Sequence, residues 1–444
     1  MINKYASEKQ YTLYLGNMLE VLDSLPENSV DSIVTDPPYE IAFMSKGWDN
    51  TGVAFNVETW KKCLRVLKPG GHLLAFNHSR TFHRMAVAIE DAGFEIRDTI
   101  MWVYGSGFPK SLNIGKAIDK MNGYEREVIG IDEKWIKRVG ITHDESLTYT
   151  DSSFGMVGKN GGKITTPSSQ AQQWDGWGTA LKPSYEPIIL ARKPIAESSI
   201  AANTLKWGVG GINIDGCRVE TKDVEALYKK PTINNCDRSG DKFQKNTSKI
   251  VGTFDEKYKL GRFPANLIHD GSDEVVELFP SEIDESGNKE SAARFFYTSK
   301  ASSIDRDAGL DEFEKLTVND GRDTPIDNAY QRGETARKNI HPTVKPTDLM
   351  QYLVRLITPK GGTVLDPFMG SGSTGKAAMV ENAVKGSNYH FIGVDMTPEY
   401  LPIAQARIEY GIHFEELEVT TTTTDANGNK VKQTQTSIFD FIGD

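Results

Sequence analysis

Two short stretches at opposite ends of this 444-residue chain hold residue types that can do chemistry. The first is Thr35-Asp36-Pro37-Pro38-Tyr39, where the apolar run SVDSIVT stops abruptly. Two trans prolines fix an extended backbone and remove two N–H donors, which leaves acceptors and an aromatic face. The Asp36 carboxylate, the Pro37 carbonyl and the Tyr39 ring together suit a planar amine. The acceptors take its two N–H groups while the tyrosine stacks on the base that carries it. Such stacking is worth roughly 1–3 kcal/mol per base, and a hydrogen bond to a charged acceptor roughly 1.5–3 kcal/mol. The competing reading of so short a motif is a strand-ending turn.

The second stretch, Gly370-Ser-Gly-Ser-Thr-Gly375-Lys376, follows a strand and opens a helix, where backbone N–H groups can approach a ligand closely. Read as a P-loop, its spacing fits, but Ala377 stands where a hydroxyl should hold magnesium. Read as the glycine-rich loop of a doubly wound fold, it gains Asp395, an acid at the end of the next strand placed to accept from ribose hydroxyls. The second reading fits the residues better.

The elements that must position these stretches follow from hydrophobic period. Residues 1–118 alternate strands (YTLYLG, SVDSIVT, HLLAFN, EIRDTIMWVYG) with helices near MLEVLDSL, VETWKKCLRVL and TFHRMAVAIEDA, with a turn at Pro69-Gly70-Gly71. Residues 336–415 return to the same alternation through PTDLMQYLVRLI, GTVLD, TGKAAMVENA, HFIGVD and PEYLPIAQARIEYG. Alternation of this kind predicts a sheet covered by helices. Between them, 119–335 is rich in Gly, Ser, Asn and charge, too long for a loop and therefore an inserted region, with a strand returning to the sheet near 185–193. Trp174 and Trp177 within it read as local core, with DNA stacking as the alternative. Residues 416–444 are Thr-rich and polar, and are expected to be disordered.

Composition narrows the class. No apolar run approaches the roughly 20 residues of a membrane helix, and the N-terminus lacks a secretory signal, so a cytoplasmic protein is expected. Cys63, Cys217 and Cys236 form no C-x-x-C pair, and His341 has no clustered partner, so no metal site is expected. The net charge of −10 hides a separation: residues 266–335 hold 17 acidic and 7 basic side chains, whereas 181–265 hold 15 basic and 10 acidic. A polyanion could meet that basic stretch, because contacts are felt mainly within a Debye length of roughly 8 Å. Arg262, Lys229, Lys230, Arg238, Lys242, Lys245 and Lys249 are its candidate phosphate contacts.

Taken together the motifs resemble the amino-directed DNA methyltransferases that use S-adenosylmethionine, in the permuted order called the beta class. The resemblance rests on Asp36 to Tyr39, on His341-Pro-Thr-Val-Lys-Pro346, on Asp366-Pro-Phe-Met-Gly-Ser-Gly372, and on the segments KPGGHLLAF, YEPIILARKP and FIGVDMTPEYLPIAQARI. It implies an α/β, doubly wound, mostly parallel seven-stranded sheet with an inserted target-recognition region. It also implies that the cofactor's methionine end lies against Asp366, Phe368, Gly370 and Gly372, with Thr343 and Lys345 helping to hold its carboxylate and Asp395 taking the ribose. Asn17 falls where the family usually has an aspartate that accepts from the adenine amine. Adenine N6 in double-stranded DNA is the implied target, with cytosine N4 as the alternative and a P-loop ATPase as a more distant one. At the end of the tail, Gln435 to Phe439 resembles the pentapeptide by which bacterial proteins dock on the sliding clamp.

Overall fold

The computed structural model describes residues 3–41, 51–107, 111–131, 163–220, 261–283, 289–299, 303–318, 335–414, 418–424 and 430–436. The elements that matter for the site are, in chain order, β1 (Asn3–Ser7), β2 (Tyr11–Leu15), α1 (Met18–Ser24), β3 (Val30–Thr35), α2 (Val57–Val66), β4 (Leu67–Phe76), α3 (Phe82–Asp91) and β5 (Glu95–Val103). They continue with α4 (Ile114–Met121), β6 (Tyr185–Arg192), α5 (Ile200–Trp207), β7 (Leu267–His269), β8 (Tyr297–Thr298), α6 (Thr347–Ile357), β9 (Thr363–Asp366), α7 (Ser373–Lys385), β10 (His390–Asp395) and α8 (Tyr400–Ile412).

One mostly parallel sheet runs in the order β1-β2-β10-β9-β3-β4-β6-β5-β7-β8, a methyltransferase-type α/β architecture. It has ten strands, not the expected seven. All seven strands read from the sequence are present, including β6, which lies antiparallel between β4 and β5. The three additional strands are short and sit at the edges: β1 folds back antiparallel on β2, and β7 and β8 extend the sheet beyond β5. Strands of two to five residues give too little alternation to be seen in the sequence. Because β7 and β8 come from the long inserted region, that region is partly built into the catalytic sheet.

Alternation along the central strands explains why both faces are covered. Ile33 of β3 and Leu73 and Ala75 of β4 enter a core shared with Trp60, Cys63 and Val66 of α2. Val34, Leu74 and Phe76 point the opposite way, into a core shared with α6, α7 and Ile408 of α8. The β3-to-β4 crossover therefore uses one face and the β9-to-β10 crossover the other. Since β3 and β9 are parallel neighbours, their C-terminal ends open a crevice where the crossovers diverge, the position at which open α/β sheets bind ligands.

Two local expectations change. Pro69-Gly70-Gly71 is not a turn: β4 runs through it, and the register against β3 shifts between Val30 and Ser32. Gly70 has φ +84°; its N–H bonds the Lys193 carbonyl, and the buried Asn203 amide of α5 donates to the Pro69 carbonyl at 2.8 Å. The tail, expected to be disordered, pairs Glu418–Thr424 antiparallel with Lys430–Thr436, consistent with the strand preference of β-branched threonine. Gln435 faces Val419 in that hairpin, while the remainder of the clamp-like pentapeptide beyond Thr436 lies outside the described residues. Among the described residues no helix is long and apolar enough to cross a membrane.

Candidate active site

Parallel pairing of β3 with β9 brings the two chemical stretches into one crevice. The Thr35 hydroxyl donates to Asp366 Oδ1 at 2.7 Å, and Thr374 of α7 donates to Oδ2 at 2.7 Å. The backbone N–H of Phe368 also donates to Oδ1, at 3.1 Å. Asp366 is only 2% exposed, and burial pushes its carboxyl up to about 6, against those hydrogen bonds. Both oxygens are turned into the protein and clasp the two halves of the site together, a contact the motif did not announce. Asp366→Ala would remove the acceptor of the Thr35 hydroxyl and the Phe368 N–H and leave the Thr374 hydroxyl only its longer bond to the Val34 carbonyl, at 3.3 Å. At roughly 1–3 kcal/mol for each unsatisfied group, it is expected to lower unfolding stability by about 3 kcal/mol or more, measured by urea titration.

The loop above Asp366 depends on two glycines in left-handed conformations. Gly370 has φ +53°, and a Cβ there would lie 2.7 Å from His341 Nε2. Gly372 has φ +75° at the start of α7, and a Cβ there would lie 3.0 Å from the Ala404 backbone of α8. Asp395, at the end of β10, accepts from Gly370 N and Thr397 N, each at 2.8 Å, and burial raises its carboxyl above the ordinary range. His341 Nδ1 meets the Thr343 carbonyl at 2.7 Å, and burial pushes the ring down to about 4, so it is neutral at pH 7. Asn17 is exposed and caps α1, its side-chain oxygen accepting from Leu19 N at 2.9 Å, while Gly16 N bonds the Asp395 carbonyl. The capping bond leaves its carbonyl oxygen one further lone pair.

Around the Asp36 motif the structure assembles a buried charge cluster. Lys345 Nζ lies 2.7 Å from Tyr39 Oη, 2.7 Å from Glu186 Oε2 and 3.2 Å from Asp36 Oδ2. Tyr39 in turn donates to Glu186 Oε2 at 2.8 Å, which fixes its ring. Asp36 Oδ1 is closed to solvent and has no hydrogen-bond partner among the described residues, although the side chain as a whole keeps 19% of its surface. Burial raises the Asp36 carboxyl; Lys345 opposes this and Glu186 adds to it. For Lys345 burial alone would lower the ammonium, but Asp36 and Glu186 outweigh it and hold it above its ordinary value. Lys345, implied to hold a cofactor carboxylate beside Thr343, here donates to Tyr39 and Glu186 and meets Asp36 as an ion pair.

Glu186 is the member of this cluster that no motif announces, although a signal is there: a lone carboxylate opening the apolar run YEPIILAR. Lys376 settles the P-loop question. It is fully buried, and its ammonium bonds Asp305 Oδ1 at 2.7 Å instead of facing the crevice. Arg262 joins Val219 through a backbone bridge and lays its guanidinium 3.8 Å over the Phe295 ring. The other six candidate phosphate contacts, Lys229 to Lys249, lie outside the described residues, as does Cys236. Trp174 and Trp177 are not local core: they are 37% and 58% exposed and meet edge-to-face at 5.3 Å. Cys63 and Cys217 are buried, which pushes both thiols up to about 12. Among the described residues no group of three or more His, Cys, Asp or Glu could hold a metal ion.

The crevice thus brings an acceptor motif on one strand end beside a glycine loop on the next. The profile of the N6/N4 DNA methylases matches residues 30–406, and the chain belongs to that family. A type II methyltransferase of Streptococcus pneumoniae, M2.DpnII, is 44% identical over 69 residues, 16% of this chain and 24% of the relative. The DNA adenine methyltransferase YhdJ of Escherichia coli is 31% identical over 100 residues, 22% of this chain and 32% of the relative. These alignments thus span a third or less of the curated relatives' length. Among solved structures, the PvuII DNA methyltransferase (cytosine-N4-specific) superimposes with a TM-score of 0.42 at 14% identity, covering 91% of this chain and 90% of that one. The M1.HpyAVI complex with S-adenosylmethionine gives 0.37 at 16% identity, covering 90% and 98%.

Proposed function

We propose that this protein transfers a methyl group from S-adenosylmethionine to the exocyclic N6 of an adenine flipped out of double-stranded DNA. The observation that carries the reading is the meeting of the partly exposed Asp36 carboxylate and the Phe368-to-Gly372 loop at neighbouring strand ends. The donor set fits the cofactor. Asp395 retains lone pairs for ribose hydroxyls beyond its two backbone bonds, Gly370 and Gly372 keep the loop free of side chains, and half-buried Phe368 offers an apolar wall. When bound, S-adenosylmethionine supplies a sulfonium methyl already activated toward attack.

The chain's own residues must then act on the amine, whose lone pair is delocalised into the base. Asp36 and the Pro37 carbonyl accept its hydrogens, favour a pyramidal nitrogen and aim it. Tyr39, held by Glu186 and Lys345, presents a fixed ring for stacking. Asp36 would stabilise the positive charge growing on the nitrogen as it is methylated and would take up the proton it releases. Orientation supplies much of the acceleration, and a paired base offers no in-line path, which is why flipping is required.

Adenine is preferred because an aspartate opens the motif, as in the adenine-directed members that the sequence resembles, and because the E. coli relative is named as an adenine methyltransferase. The test is incubation with labelled cofactor and DNA, RNA or protein, followed by mass spectrometry of the modified product. N6-methyladenine is the expected result; N4-methylcytosine would move the target, and label in RNA or protein alone would overturn the reading. If the basic stretch binds phosphates, Lys242→Gln, Lys245→Gln and Lys249→Gln combined should flatten the slope of log affinity against log salt, by about 0.9 for each phosphate no longer neutralised.

A further inference from the structure

We propose that Glu186 is a positioning residue for Asp36: it draws the Lys345 ammonium toward itself and leaves the Asp36 carboxylate incompletely neutralised for the substrate amine. The inference rests on the function proposed above and adds a residue to that site. The Lys345 ammonium donates two short hydrogen bonds, to Tyr39 and to Glu186, and meets Asp36 as an ion pair. The shorter carboxylate contact goes to Glu186, at 2.7 Å, and the longer to Asp36, at 3.2 Å. Glu186 Oε2 also receives the Tyr39 hydroxyl at 2.8 Å, so one oxygen gathers two strong donors while Asp36 Oδ1 has none among the described residues.

Two carboxylates therefore share one cation in a site where Glu186 is 16% and Lys345 8% exposed. Asp36 and Glu186 keep the cation charged, and three rings surround it as well, Phe76 at 4.8 Å, Tyr39 at 5.1 Å and Trp102 at 5.9 Å from Nζ. The groups facing Asp36 are Lys345 ahead of α6, Glu186 on β6, Tyr39 on its own loop and Asp366 on β9, with Tyr104 after β5 facing Glu186. Of these, Glu186 is the one whose negative charge both repels the Asp36 carboxylate and diverts its counter-ion. A lone Lys345–Asp36 pair would instead satisfy Asp36 and blunt its attraction for an incoming N–H.

Glu186→Gln keeps the shape and removes the charge. Lys345 is then left to Asp36, whose carboxyl should ionise at lower pH. The expected result is a fall in kcat of tenfold or more, a KM for S-adenosylmethionine within about twofold of wild type, and an acid limb of the pH–kcat profile moved to lower pH. Glu186→Asp, which restores the charge, should return the limb to its wild-type position. The second readout needs no turnover: carbon-13 NMR titration of the aspartate carboxyls in the cofactor-free protein, with Asp36 assigned by its loss in Asp36→Asn. Asp36 should titrate lower in Glu186→Gln than in wild type. An unchanged titration or an unshifted acid limb overturns the proposal. If the wild-type protein methylates nothing, the proposed function fails, and the titration still decides the role of Glu186.

Discussion

Asp36→Ala is expected to lose at least 100-fold in turnover, about 2.7 kcal/mol of transition-state stabilisation, while cofactor affinity stays within about threefold. The reason is the division of labour in the crevice. In the proposed mechanism Asp36 meets the amine, whereas the loop from Phe368 to Gly372 is held by Asp366 and Asp395 at the neighbouring strand ends, not by Asp36. Removing the carboxylate does not strand the buried cation, because Lys345 keeps Glu186 and the Tyr39 hydroxyl at 2.7 Å each. The fold should therefore survive and the loss should appear in chemistry. Single-turnover transfer of labelled methyl, paired with calorimetric titration of the cofactor, separates the two. Near-normal turnover would remove Asp36 from the mechanism, and a parallel collapse of cofactor binding would show that the motif holds the cofactor instead.

Asp305→Ala should destabilise the fold by about 3–5 kcal/mol, the usual cost of leaving one partner of a buried ion pair alone. The Asp305 carboxylate accepts from Lys376 at 2.7 Å, from Thr347 N at 2.7 Å and from the Thr347 hydroxyl at 2.6 Å. Lys376 is completely buried, and burial already pushes its ammonium down to about 8 despite Asp305. Without the carboxylate, the ammonium loses its short ionic contact and the first turn of α6 loses two hydrogen bonds. Since Lys345 lies just ahead of that turn, cofactor-independent order around the Asp36 motif should weaken as well. Denaturant unfolding gives the energy. A double change of Asp305→Leu with Lys376→Met should recover much of it, because an apolar pair of similar volume has no stranded charge. A double variant as unstable as Asp305→Ala would mean that the Thr347 bonds, not the ion pair, dominate.

How much of this is legible in the sequence follows from the range of each interaction. The Asp36 motif announces itself because two consecutive prolines ending an apolar run have few local explanations. The glycine loop is visible for a similar reason: strand, glycines and helix in succession leave little choice of backbone. What those signals do not reveal is which partner each side chain takes. Asp366 and Lys345 both belong to ligand-type motifs, yet one clasps Thr35 and Thr374 and the other joins Glu186 and Tyr39. Trp174 and Trp177 show the same limit in the opposite direction, since apolar size suggests core and packing leaves them at the surface.

The sequence by itself determined the alternation of strands and helices, the two chemical motifs and the family, because these depend on residues close together along the chain. Only the tertiary structure decided that β3 and β9 are neighbours, that Glu186 of β6 reaches Lys345, and that Lys376 turns away from the crevice to Asp305. Those pairings join residues far apart along the chain, and they are set by which strand ends meet in the sheet and by the need to neutralise each buried charge, neither of which a local pattern encodes.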